Sequence, residues 1–75
     1  MPSVTFALSS EYIELNQLLK LVGLCDSGGA GKALVAQGLV LVDREIENRK
    51  TAKIRVGQVV SCGTVRVTVV AEATA

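Results

Sequence analysis

Apolar and polar positions alternate at the start of the chain, where Val4, Phe6 and Leu8 are separated by Thr5 and Ala7. That is the period of a half-buried strand. Ser9 and Ser10 supply turn or cap chemistry, and the period then changes. Leu15, Leu18, Leu19 and Val22 fall at i, i+3, i+4 and i+7, lining one face of a helix. Gly23 is placed to end it, because glycine takes a left-handed C-terminal cap without steric cost. Asp26 or Ser27 offers a new N-cap, and Ala30, Ala33 and Leu34 form a small-residue stripe running to Gly38. Gly28, Gly29 and Gly31 in the first turn of this second helix each cost about 1 kcal/mol against alanine. Close approach of another backbone or of a ligand is the usual reason for tolerating them.

Beyond Gly38 the chain turns to strands. Residues 39–42 read as a strand, Asp43-Arg44 as a turn and residues 45–47 as the returning strand. Residues 58–62 and 65–70 flank a bend at Cys62-Gly63-Thr64 and are rich in β-branched side chains, which predicts a second hairpin. Val56-Gly57-Gln58 is the turn leading into it, and residues 71–75 are expected to fray. No internal repeat or low-complexity run interrupts the pattern, so a single α+β domain over residues 1–75 is predicted.

Inventory narrows the chemistry. At 75 residues, 49% hydrophobic and 20% charged, the chain suits one small globular domain with a modest core. It has no histidine, and its two cysteines, Cys25 and Cys62, form no CxxC pair. The commonest general base, the Ser/His and Cys/His nucleophile arrangements and a four-ligand zinc site are thereby removed. Neither an enzyme nor any metal or other cofactor is expected. Phe6 and Tyr12 are the only aromatics, too few to build a stacking platform for single-stranded RNA. The first residues lack the basic flank and long apolar stretch of a signal peptide, and no apolar run is long enough to span a membrane. A cytoplasmic protein with reduced cysteines is expected, a disulfide between the two staying open. Cys25 lies near a helix N-terminus but has no base partner, and Cys62 reads as a small apolar residue at a strand end.

The net charge of +1 hides an asymmetry. Five of the eight basic residues, Arg44, Arg49, Lys50, Lys53 and Arg55, lie between positions 44 and 55, opposed there by Glu45 and Glu47. It is the local face and not the total that attracts phosphate. Lys32 sits in the glycine-rich start of the second helix, where the helix dipole favours an anion. The Arg49–Lys53 segment follows a hairpin that starts directly after that helix, so both elements are placed to build one positive surface. The bland alternative is a solvated loop. Ser27-Gly28-Gly29-Ala30-Gly31-Lys32 is not a nucleotide-binding loop: Asp26 stands where the first glycine is required, and Ala33 where Ser or Thr is required.

The pattern resembles the RNA-binding domain named after ribosomal small-subunit protein four. Leu15-Asn16-Gln17-Leu18-Leu19-Lys20-Leu21-Val22-Gly23 is similar to that family's L-D-x-x-L-x-x-x-G helix, and Gly38 follows at the family's spacing. Gly38-Leu39-Val40-Leu41-Val42-Asp43-Arg44 is similar to G-x-V-x-V-N-G, and Val56-Gly57-Gln58-Val59-Val60 to the later V-x-x-G-D-x-I turn. Together these cover residues 15–60. Ser27-Gly28-Gly29, Lys32, and Arg49-Lys50 with Lys53 look most like the family's small stand-alone bacterial branch, the YbcJ type.

The resemblance implies an αL motif: two N-terminal helices packed on a small, mostly antiparallel sheet of about four to five strands. It implies a non-catalytic module gripping structured RNA, ribosomal or transfer, by phosphate contacts along the face shared by helices and hairpin. Lys32, Arg49, Lys50 and Lys53 are the implied contacts, with Lys20, Arg44 and Arg55 as further candidates. A monomer acting beside a larger ribonucleoprotein is expected. Two positions depart from the family: Gly28 stands where many members are basic, and Arg44 where the turn usually has glycine. A protein–protein adaptor using the Val-rich hairpin edge or the small-residue helix face is the competing expectation.

Overall fold

Gly23 and Gly38 both close helices in the computed structural model, which describes residues 3–72. Helix α1 (Leu15–Leu21) ends with Gly23 at φ +84°, its N–H donating to Lys20 O while Leu24 N–H donates to Leu19 O. Helix α2 (Gly28–Ala36) ends the same way, Gly38 N–H donating to Val35 O and Leu39 N–H to Leu34 O. This pair of bonds satisfies carbonyls that the last helical turn would otherwise leave free. Of the two candidate caps for α2, Ser27 serves: its Oγ accepts the Ala30 N–H at 3.1 Å. α1 has no side-chain cap. Its first N–H groups are taken instead by a distant loop, Leu15 donating to Ala52 O (2.8 Å) and Asn16 to Lys50 O (3.2 Å).

The strands are β1 (Ser3–Leu8), β2 (Ile13–Glu14), β3 (Val40–Val42), β4 (Glu45–Ile46), β5 (Lys53–Ile54), β6 (Val59–Cys62) and β7 (Val65–Ala71). Five of them form one sheet in the order β1-β7-β6-β3-β4, with only the β1–β7 pair parallel. β2 and β5 make a separate two-stranded ladder. This is the α+β architecture expected, with the helices following β1. The β2–β5 ladder is a surprise, since two-residue strands carry no readable period. Nor are residues 71 and 72 frayed: Ala71 pairs with Leu8, and Glu72 N–H donates to Leu8 O. Residues 73–75 of the predicted tail lie outside the described residues.

One face of the sheet makes the core. Leu8, Val40, Val60, Val67 and Val69 are buried against Leu15, Leu18, Leu19 and Val35 from the helices, with Ala52 and Ile54 closing one side. Burying such side chains contributes roughly 1.5–3 kcal/mol each. The alternating residues Thr5, Leu41, Ser61, Arg66 and Thr68 point the other way, where no helix covers them. Between the helices, a Cβ at Gly31 would lie 2.6 Å from Asn16 O, so α1 and α2 meet backbone to backbone. Both cysteines are free, and burial, then the nearby Cys25 thiol, pushes the Cys62 thiol up. No helix among the described residues is long and apolar enough to cross a membrane.

Candidate nucleic-acid interface

Asn16 is where three elements meet. Its backbone N–H holds Lys50 O of the β4–β5 loop, and its side-chain Nδ2 donates to Gly28 O at the start of α2, at 3.4 Å. It is only 2% exposed. The first turns of α1 and α2 and the basic loop are therefore fixed to one another through a single side chain and its backbone. Lys32 lies four residues beyond Gly28, on the same side of α2, and is exposed. Asn16 thus joins the start of α2, the helix that carries Lys32, to the basic loop.

The loop itself presents exposed side chains over buried ones. Ala52 and Ile54 go into the core while Lys50, Lys53 and Arg55 stay in solvent, because the β2–β5 ladder pins the segment with Ile13 opposite Ile54 and Glu14 opposite Lys53. Arg49, Thr51, Ala52 and Lys53 line an open concavity of about 430 Å³. Tyr12, just ahead of β2, anchors two of the cations: Lys53 Nζ lies 4.9 Å and Arg55 Cζ 5.7 Å from its ring centroid. Such contacts hold a flexible cation in place while leaving its charge intact. Sequence reasoning missed Tyr12, which carries no local signal beyond being one of two aromatics.

The remaining candidates divide. Arg49 is not a free cation: its Nε donates to Glu47 Oε2 and its Nη2 to Glu47 Oε1, each at 3.2 Å, and its backbone N–H donates to Oε2 at 3.0 Å. Hydrogen bonds from Arg49 hold the Glu47 carboxyl below the usual carboxylate range, and Glu47 in turn raises the guanidinium. Lys20 stands in the last turn of α1, at the far end of the helix from the docked loop, where it complements the helix dipole. Arg44 is separate again. With Asp43 it forms the two-residue β3–β4 turn, both residues having positive φ (+51° and +73°). Asp43 ties that turn to β6 by accepting Val59 N–H at 3.0 Å.

Of the two surfaces offered for an adaptor, the hairpin edge is occupied within the fold. The Val-rich hairpin has no free edge, since β7 is paired with β1 and β6 with β3. On the small-residue stripe of α2, Ala30 and Leu34 are half-buried and Ala33 is exposed, while the neighbouring Gly31 packs on α1.

The fold, its helix-ending glycines and the two-residue β3–β4 turn belong to a known class. The S4 domain profile matches residues 6–70, and the chain is a member of the S4 domain family. Its relatives are small bacterial proteins. It is 47% identical over 58 residues to YbcJ of Escherichia coli (strain K12), covering 76% of this chain and 83% of that protein, whose name places it among RNA-binding proteins. It is 41% identical over 54 residues to RlbA of Bacillus subtilis (strain 168), named for ribosome maturation, covering 72% of this chain and 76% of that one. The solution structure of E. coli YbcJ, which reveals an αL motif involved in RNA binding, superposes with a TM-score of 0.71 at 45% identity. That match covers 91% of this chain and 87% of the other.

Proposed function

We propose that this protein is a non-catalytic module that binds structured RNA by its phosphate backbone, with Lys50, Lys53, Arg55 and Lys32 as the principal contacts. Arg49 joins them when RNA displaces Glu47, and Lys20 contributes only long-range attraction. The observation that carries the reading is the Asn16 joint, which holds the α2 start and the basic loop in one fixed arrangement. Lysine and arginine on a rigid frame recognise where phosphates sit and not which bases they join, which suits folded RNA. The ribosome-maturation name of the B. subtilis relative supports ribosomal RNA, within a larger ribonucleoprotein, as the partner. In this reading the protein acts there as a cytoplasmic monomer.

The test is an amide-resolved NMR titration with an RNA hairpin at two salt concentrations, on the native chain and on a Lys50→Glu/Lys53→Glu variant. Both side chains are exposed, and because Lys53→Glu sets a second carboxylate opposite Glu14, far-ultraviolet circular dichroism checks that the variant keeps its fold. Shifts at Lys32 and residues 50–55 that weaken with salt are expected, with binding weakened in the variant and the logarithmic salt slope lower by about one unit per phosphate contact removed. Equal affinity of the two proteins refutes the assignment.

A further inference from the structure

We infer that the uncovered face of the five-stranded sheet carries a second phosphate-binding site, formed by Arg44, Ser61 and Arg66. The inference rests on the RNA-binding reading above: the site takes a second stretch of the backbone whose first stretch lies on the β4–β5 loop.

Ser61 and Arg66 are direct cross-strand partners in β6 and β7. Their chain neighbours Val60 and Val67 are fully buried, so strand alternation turns Ser61 and Arg66 to the opposite side from the helices and the loop. Arg44 reaches the same place from the β3–β4 turn. Together with Asp43 and Val59 these three residues line one concavity of about 240 Å³. Among the described residues neither arginine forms an ion pair or a side-chain hydrogen bond. The one acid on the rim, Asp43, has both oxygens facing partners, Val59 N–H and, at 3.5 Å, Gln58 Nε2. Two unengaged guanidiniums beside a hydroxyl make a donor set fitted to phosphate oxygens, since the planar fork can give two parallel hydrogen bonds.

A second observation points the same way. Arg44 stands at φ +73°, in a turn of the kind whose second position favours glycine. A long cation kept at a backbone cost, and aimed at a concavity with another arginine, is explained by a ligand for that cation.

The experiment follows the amides of residues 44, 61 and 66, with the arginine Nε–H signals, during titration with inorganic phosphate and separately with the RNA hairpin. The chain is compared with Arg66→Gln and Arg44→Gly variants. Both probes are expected to shift the three residues. Each variant is expected to bind RNA about fivefold more weakly, the upper range for an exposed charge contact, with a salt slope lower by about one unit. Arg44→Gly relaxes the turn, so weaker binding by a protein of equal or higher melting temperature cannot come from unfolding. If RNA shifts residues 50–55 while the sheet face stays unmoved by either probe, this site is overturned and the loop reading stands. If phosphate shifts the sheet face but RNA shifts nothing, the anion site stands and the RNA reading falls.

Discussion

Replacing Gly31 and Gly29 with alanine, one at a time, should change stability in opposite directions. Both lie in the first turn of α2, so helix propensity alone favours either substitution by about 0.5–1 kcal/mol. Space separates them. A methyl group at Gly29 meets nothing closer than Ser27 Oγ at 3.9 Å, which is ordinary contact. At Gly31 it would stand 2.6 Å from Asn16 O and 3.1 Å from Asn16 Cα, both backbone atoms that no rotamer change can move. Reaching an ordinary separation of 3.4 Å requires the helices to part by about 0.8 Å at their crossing. Overpacking of this kind costs typically 1–3 kcal/mol, so after the propensity gain Gly31→Ala is expected to lose about 1–2 kcal/mol. For a domain of this size each kcal/mol moves the melting temperature by about 4–8 °C. Thermal melts followed by far-ultraviolet circular dichroism should place Gly29→Ala above the native protein and Gly31→Ala well below it. A Gly31→Ala protein as stable as the native one would refute the backbone contact between α1 and α2.

Arg44→Gly should stabilise the fold by about 1 kcal/mol, because it removes the left-handed penalty on a side-chain-bearing residue; a lower denaturation midpoint would count against the turn geometry. Glu47→Gln should free the Arg49 guanidinium and tighten RNA binding, read by fluorescence titration, and unchanged affinity would show that Arg49 takes no part. The same pair gives a pH dependence. Glu47 has a folded-state pKa below its ordinary value, so the stability it adds is complete above the usual carboxylate range and disappears as pH falls through the lower value. The stability difference between the native chain and Glu47→Gln should therefore shrink in acid, as denaturation at stepped pH will measure.

Local features of this fold were legible and long-range ones were not. The leucine spacing, the Ser27 cap and the two helix-ending glycines announce α1 and α2 because each is specified by residues within one or two turns. The hairpins around Asp43-Arg44 and Gly63 are equally local. Nothing local announces that β1 pairs with β7, nor that residues 50–52 dock on the start of α1, since both depend on contacts between distant segments. At the candidate site, Lys50 and Lys53 are visible in the sequence as part of a basic cluster, and Lys32 as a cation in the glycine-rich start of α2. The engagement of Arg49 is not, because a Glu two residues earlier is as consistent with a free pair as with a closed one. Arg66 carries no signal in the sequence, since a single arginine in a strand means little until its cross-strand neighbour and the nearby turn are known.

The parallel union of β1 with β7 also governs how the molecule reaches this state. Ser3 must find Arg66 and Leu8 must find Ala71, so the sheet closes by the most sequence-distant pairing it contains. Such pairings form late, since the closure entropy must be met before the contact gives anything back. Until then β7, carrying Val65, Val67, Val69 and Val70, is an open and strongly apolar edge of the kind that recruits other chains. The first strand is thus the guard of the last one, and any change that delays or removes residues 3–8 turns a folding problem into an aggregation problem.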